Sequence, residues 1–553
     1  MARIKLFFAT FLSLSSLIIA HNYIASGFAD YGLFNRDTYL DSNYSSILDT
    51  NSIQEWTPIE SHLSLNNDAV FIFTLNSTNV NNNRKKYYSY QMLIYLSGNI
   101  CYKPKNVSET DLKVYYSFNE SVIYNQTDFP YLNFENGYME GLAIKQFNNS
   151  DSENIDVDSN NDSDTSTAGD QLYLVVKSEV NITSDIDSSD MWYYEISVSQ
   201  DDLAFQWDER SWLNVVGTDM DSALLVTGNI TSSSNNNDAN YTVFNIDLYD
   251  IYLFHSDYDI SLSRSLCSIK NGPYLATSDS NTTTTSPLLN SNITITKSLS
   301  VRGGSVREQF YISGLNSSTT YQVYLIKAIR TDTDSPGGVV FKEVYFETAS
   351  DIRCSLIFDL PFCNEIAYAV PSSSLLLKSD VSSTYNKTEL GLLYDYWAEN
   401  LYQNFTKALQ LTPCVTEKDA IYSTLRTCDD CALSYKNWLC TVTIPRCSSE
   451  QNGYYLHRNK SDNRNDYINN NIVPISDYYE ILPCIEMCFN IVRDCPSTFG
   501  FACPKLTTKP NENEPDTFLL YNSYQISVDA DITNDESLLT CNYIEGSNNL
   551  QIL

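Results

Sequence analysis

Twelve of the fourteen cysteines in this 553-residue chain lie between Cys354 and Cys541. What such a cluster can do depends on its compartment: in an oxidising lumen an even, local set reads as disulfides, and in a reducing one as metal or redox ligands. The other end of the chain bears on this. Arg3 and Lys5 precede an apolar run from Leu6 to Ala20 and a small-residue region ending near Gly27, the pattern of a signal peptide over residues 1–20. Cleavage is expected after Ala20 or one of the next few residues. Ile18 at the −3 position fits the cleavage rule poorly, so an uncleaved signal anchor is the alternative. Sixteen Asn-x-Ser/Thr sequons point to the same lumen, at Asn43, Asn76, Asn106, Asn119, Asn125, Asn148, Asn161, Asn181, Asn229, Asn240, Asn281, Asn292, Asn316, Asn386, Asn404 and Asn459. Each marks a surface position for a bulky, solubilising glycan.

Zinc is the rival for the sulfurs, but it favours reducing compartments and needs His or closely paired Cys, and only His457 lies in this region. Cys428-Asp-Asp-Cys431 has oxidoreductase spacing without the βαβ pattern that accompanies redox catalysis. The cysteines are therefore read as disulfides, with no metal and no cofactor. The formal charge of −34, from 34 basic and 68 acidic side chains, disfavours nucleic acid and anionic lipid as partners and suits a solvated surface or attraction of cations. After residue 27 no apolar stretch approaches the ~20 residues of a spanning helix. The longest, around Val70 to Leu75 and Leu172 to Val176, are strand-sized. The final residues, Asn548 to Leu553, lack the apolar tail of a lipid-anchor signal. Membrane association is then expected through a partner or the retained signal. No Gly-x-Ser-x-Gly, His-Glu-x-x-His or phosphate-cradling glycine loop is present, and the histidines at 21, 62, 255 and 457 do not cluster. No catalytic residue is assigned, and the chain is read as not an enzyme.

A chain this long exceeds one core, and its composition predicts three folded pieces separated by polar tracts. Asn148 to Asp170, Thr231 to Asn240 and Thr277 to Asn292 hold too few apolar residues to offset the entropy of ordering them, and are expected to be disordered loops. None has the Asp-x-Asp-x-Asp-Gly spacing of a calcium loop. Between them, Ala69 to Leu75, Tyr87 to Leu96, Gln171 to Val176, Trp192 to Val198 and Tyr241 to Phe254 alternate and are rich in aromatic and β-branched residues, which predicts strands and a mostly β first 350 residues. From Glu389 onward, Leu392, Leu393, Tyr396, Trp397, Leu401, Phe405 and Leu409 recur near helical spacing, predicting a helix that buries this stripe. A second helix is expected from Tyr478 to Asp494, with Cys484, Cys488 and Cys495 within roughly 40° of one another around its axis. Cys101 and Cys267 stand alone in the β region, where a bridge between two sandwiches and two free thiols both stay open.

Three resemblances refine this reading. Gly314-Leu-Asn-Ser-Ser-Thr-Thr-Tyr321-Gln-Val-Tyr resembles the turn before strand F of a fibronectin type III sandwich, with Leu315 and Tyr321 in the corner and Val339 to Thr348 as the last strand. Cys354-x8-Cys363, Cys431-x8-Cys440-x6-Cys447 and Pro483-Cys484-x3-Cys488-x6-Cys495 followed by Phe499-Gly-Phe resemble the cysteine-rich domain of Frizzled receptors. That resemblance implies the pairs Cys354–Cys447, Cys363–Cys440, Cys431–Cys495, Cys484–Cys541 and Cys488–Cys503, leaving Cys414 and Cys428 for an extra bridge. The implied architecture is a β-rich glycosylated domain over 28–200, a fibronectin III-like sandwich over 201–350 and a mainly helical, disulfide-rich Frizzled-like domain over 351–545. With CSLIFDLPFCNEIAYAVP from Cys354 to Pro371 added, nearly the whole chain resembles the fungal stretch-activated calcium-channel component, the regulatory subunit of the yeast high-affinity calcium influx system. The family works with a large four-repeat pore-forming subunit. The resemblance implies calcium entry at the plasma membrane, evoked by stretch or pheromone, with this chain on the extracellular face after passage through the endoplasmic reticulum. The alternative is a secreted or cell-surface glycoprotein that holds a ligand in a Frizzled-like domain.

Overall fold

The computed structural model describes residues 51–75, 89–148, 171–180, 190–230, 248–257, 261–280, 286, 288–329, 337–377, 386–413, 421–504, 524–525 and 539–544. The expected signal peptide, the tract from 149 to 170, the tract from 231 to 240 and the sequence 241–247 fall outside them. Contacts between Cα atoms divide the chain into two compact units, and neither is contiguous in sequence. The first comprises Met1–Trp212, Asp247–Asn290 and Gln322–Val344; the second comprises Leu213–Ile246, Ser291–Tyr321 and Tyr345–Leu553. The chain therefore does not divide at the expected boundaries 200/201 and 350/351. The block 201–350 is shared out, its strands Leu213–Thr218, Ser222–Thr227, Thr294–Arg302 and Ser305–Ser313 joining the cysteine-rich end.

The first unit is mostly β. A five-stranded sheet runs in the order Asn51–Ile53, Asp68–Thr74, Gln171–Ser178, Leu112–Ser117 and Tyr131–Asn133, and a four-stranded antiparallel sheet in the order Ile59–Ser64, Met191–Ser199, Ser89–Tyr102 and Tyr138–Asn148. Alternation places Phe71, Phe73, Leu172, Leu174 and Val176 of one sheet and Ile94, Leu96, Trp192, Tyr194, Ile196 and Val198 of the other in a single buried core, the arrangement by which two sheets bury their apolar faces. The strand foreseen from Tyr87 to Leu96 continues to Tyr102, and its outward residues Ser97 and Asn99 are also buried. That second face is covered by the short helix α1 (Leu266–Lys270), whose N-cap Ser265 donates to the Ile100 carbonyl at 2.8 Å. The Cys101–Cys267 disulfide ties the strand to α1, so these cysteines are bonded within one unit.

A further sheet of this unit orders Phe205–Asp208, Gly338–Phe341, Thr320–Ala328, Tyr249–His255 and Ala276–Thr277. It packs Phe205, Tyr252, Phe254, Tyr324 and Val340 against Leu266 and Ile269 of α1. Two expectations are corrected here. The last strand, foreseen as Val339 to Thr348, is two short strands, Gly338–Phe341 and Val344–Glu347. The polar tract from Thr277 to Asn292 is placed in the structure over 277–280, 286 and 288–292, and its remaining residues lie outside the described ones. The fully buried Tyr252 hydroxyl donates to Asp279 at 2.9 Å, and the Asn290 N–H donates to the Leu275 carbonyl at 2.9 Å. A buried hydroxyl needs an acceptor, and the polar segment supplies it.

Among the described residues the second unit carries the four-stranded antiparallel sheet named above, a two-stranded sheet (Cys354–Ile357 with Tyr368–Pro371), a three-stranded sheet (Arg446–Ser448, Tyr478–Ile481, Leu456–Arg458) and three α-helices. At its corner, the Asn316 N–H donates to the Tyr321 hydroxyl at 2.9 Å, Leu315 is buried, and the Tyr321 ring lies 5.5 Å from that of Phe346. Leu224, Leu356 and Ala367 form a small core within this unit, which is why strands from the middle of the sequence belong with the cysteine-rich end.

Candidate functional site: the disulfide-locked helical region

Helix α2 (Lys387–Leu409) starts where Asn386 accepts the Glu389 N–H, a side-chain cap on an orphan donor. The face it buries differs from the expected stripe. Leu390, Gly391, Tyr394, Ala398 and Phe405 are inside, whereas Leu392 and Tyr396 are exposed. The small residues explain the rotation: a Cβ on Gly391 would lie 2.9 Å from Leu360 Cδ2, so the glycine lets the helix backbone approach closely, and Tyr394 reaches the Pro371 carbonyl at 3.2 Å. Helix α3 (Cys428–Thr443) opens with a capping box of Thr427 and Asp430. Helix α4 (Ile485–Asp494) is shorter than foreseen, because Tyr478–Ile481 is a strand paired on both sides. Pro483 disfavours helical backbone at the residue before it, so the helix begins only after Cys484. Cys484 and Cys495 thus flank α4 as its caps, and only Cys488 lies inside it.

Among the described residues five disulfides cross this unit: Cys354–Cys447, Cys363–Cys440, Cys431–Cys495, Cys484–Cys541 and Cys488–Cys503. Cys428 is also disulfide-bonded, and Cys414 lies outside the described residues. Cys431 bonds to Cys495, so the Cys428–Cys431 spacing forms no redox loop. An aromatic layer covers the Cys431–Cys495 bridge, with Phe405 and Tyr435 stacked at 3.7 Å and Phe499 and Phe501 beside them.

Buried carboxylates, which the sequence reading did not single out, join these elements. Asp395 on the inner face of α2 accepts the N–H groups of Phe362 and Cys363 at 2.8 and 2.7 Å. Asp494, at the end of α4, accepts from Ser434 of α3 at 2.5 Å and pairs with Arg493 and Arg426. Burial pushes its pKa up, but the hydrogen bonds and charges of Arg493, Ser434 and Arg426 outweigh that and hold it below the ordinary value. Glu480 is fully buried with Arg458 Nε and Arg464 Nε each at 2.5 Å. Asp219, also buried, accepts from Ser222, from the Leu356 N–H at 2.8 Å and from Lys387 Nζ at 2.6 Å. Burial raises the Asp219 pKa, and Lys387 with these hydrogen bonds brings it net below its ordinary value.

The described sequon residues Asn106, Asn119, Asn125, Asn229, Asn292, Asn316, Asn386, Asn404 and Asn459 are all exposed. Asn148 ends a strand, and Asn43, Asn76, Asn161, Asn181, Asn240 and Asn281 fall outside the described residues. Two groups bring cysteine sulfurs near a carboxylate, Cys101 and Cys267 with Glu195, and Cys484 and Cys541 with Glu486. In both the sulfurs are spent in a disulfide, which leaves no thiolate for a metal. Among the described residues no such group includes a histidine, and no helix is long and apolar enough to cross a membrane.

Comparison with known proteins bears on the whole chain. The stretch-activated cation channel MID1 of Saccharomyces cerevisiae is 43% identical over 525 residues, covering 92% of this chain and 89% of that protein. The stretch-activated cation channel yam8 of Schizosaccharomyces pombe is 34% identical over 365 residues, 65% of each chain. Among solved structures, the chicken CNTN1 FN1-FN3 domains cover 47% of this chain at 8% identity and a TM-score of 0.14, too slight a likeness to carry an argument. Residues 93–547 match the Mid1 family, described as the stretch-activated Ca2+-permeable channel component. With that match and that identity, the chain belongs to the Mid1 family.

Proposed function

We propose that this chain is the extracellular regulatory subunit of a plasma-membrane calcium channel and supports stretch- or pheromone-evoked calcium influx by binding a large four-repeat pore-forming subunit. The observation that carries the reading is the family match across residues 93–547. A supporting role, as opposed to a pore, agrees with the lack of any membrane-crossing helix among the described residues, since helices or closed barrels are needed to satisfy backbone groups in hydrocarbon. The chain enters the endoplasmic reticulum through its N-terminal signal and carries glycans on its exposed sequons. The Frizzled-like region, cross-linked between its helices and sheets, is the rigid part that docks on the pore subunit.

The test is calcium uptake in a fungal strain lacking this gene, complemented with the full chain or with a Cys354→Ala, Cys447→Ala variant whose surface delivery is followed in parallel. Rescue by the full chain and loss of uptake with the delivered variant is the expected result. Normal uptake in the uncomplemented strain would sink the channel reading and favour the ligand-binding glycoprotein.

A further inference from the structure

A cleft of about 430 Å³ opens in the second unit beside the Cys354–Cys447 disulfide, and Arg446 lines it. The Arg446 guanidinium carbon sits 5.3 Å from the ring centre of Tyr368. That ring is fixed, because the Tyr368 hydroxyl donates to the Ile444 carbonyl at 2.8 Å. Two other arginines close in sequence, Arg458 and Arg464, both pair with Glu480. Arg446 has no carboxylate partner among the described residues, in a chain with 68 acidic and 34 basic side chains. Burial lowers its pKa, opposed only by the hydroxyls of Tyr368 and Tyr455. A half-buried cation with no carboxylate beside it gains by pairing, and a guanidinium offers a planar fork that matches a carboxylate.

The geometry points to this cleft as a binding site for a carboxylate presented by an acidic peptide segment, gripped by the Arg446 fork. Three features select that chemistry. Ser449 lines the same cleft with a hydroxyl that has no partner among the described residues. The exposed Glu347 and Glu450, also on the lining, would repel a phosphate or sulfate dianion more strongly than a single carboxylate. The cleft is far larger than a carboxylate and includes Val216, Ala369 and Ile481, apolar surface that a peptide covers and a free anion does not. The inference does not rest on the channel reading.

The experiment uses the full secreted chain and a fluorescent pentapeptide, Val-Leu-Asp-Leu-Gly, acetylated and amidated at its ends, followed by anisotropy. The Asp peptide is expected to bind at least tenfold more tightly than its Asn counterpart, and Arg446→Gln is expected to abolish that preference. Competition by sodium acetate at concentrations where the Asn peptide does not compete, with no added contribution from the peptide, would overturn the peptide as the source. An Asp peptide no better than the Asn peptide, or an equal preference in Arg446→Gln, would overturn the site. If Arg446→Gln is not secreted, the Glu347→Gln, Glu450→Gln double variant decides: severalfold tighter Asp-peptide binding supports the site, and unchanged binding counts against it.

Discussion

Glu480 sits at 0% side-chain exposure between two arginines at 13% and 10%. Removing its charge takes a buried counter-charge away from both arginines. Glu480→Gln is therefore expected to cost ~3–5 kcal/mol, the usual penalty for breaking a buried ion pair from one side, and thermal unfolding of the secreted chain would measure it; an unchanged transition would mean that water already solvates both arginines. Asp219 makes a pH prediction. Its folded pKa lies below the ordinary 3.8, so its contribution is fully present above the unfolded value of about 3.9 and is lost as pH falls through the lower folded value. Asp219→Asn should lower the melting temperature at neutral pH and flatten its decline below about pH 4, which a melting series from pH 7 to pH 2 would show. Neither site was legible in the sequence. The Leu356 N–H that Asp219 accepts is 137 residues away, and a chain with 68 acidic residues gives no means of choosing which one is buried.

The helices show how far local pattern reaches. Apolar recurrence from Glu389 onward foretold a helix where α2 lies, because a 3.6-residue period is a property of the segment alone. Which face turns inward was not local: Gly391 admits Leu360 and Ile357 closely, Ala398 is buried beside it, and the larger Leu392 and Tyr396 are left outside. The start of α4 was missed for a similar reason, since Tyr478-Tyr-Glu-Ile481 fits either state and two partner strands decide for β. Asp395 joins α2 to the segment that precedes the second strand of the two-stranded sheet, through two backbone N–H groups. Asp395→Ala strands one buried and one half-buried donor and should cost about 2–6 kcal/mol, at ~1–3 kcal/mol for each lost partner. Hydrogen exchange at Phe362 and Cys363 is the direct readout, and protection equal to wild type would show that another acceptor replaces the carboxylate.

At the scale of the whole molecule the two units differ in covalent bracing. Among the described residues the second holds five disulfides, with separations from 15 to 93 residues, and the first holds one. Constraining the unfolded chain over such spans contributes about 3–5 kcal/mol per bridge in the chain-entropy account. Graded reduction should therefore unfold the second unit at lower reductant concentration than it affects the first, and limited proteolysis with mapped cleavage sites would follow it. Simultaneous cleavage of both units would contradict that order. The sequence by itself determined the β-rich character of the first part and the helices near the C-terminus, because both follow from short periodicities. It also determined the family, because cysteine spacing is written directly in the chain. Only the tertiary structure decided how the middle of the chain is divided, which face α2 buries and which charges are left to balance one another. Those outcomes depend on contacts between residues far apart in sequence, whose free energy exists only once the chain has closed the loops between them.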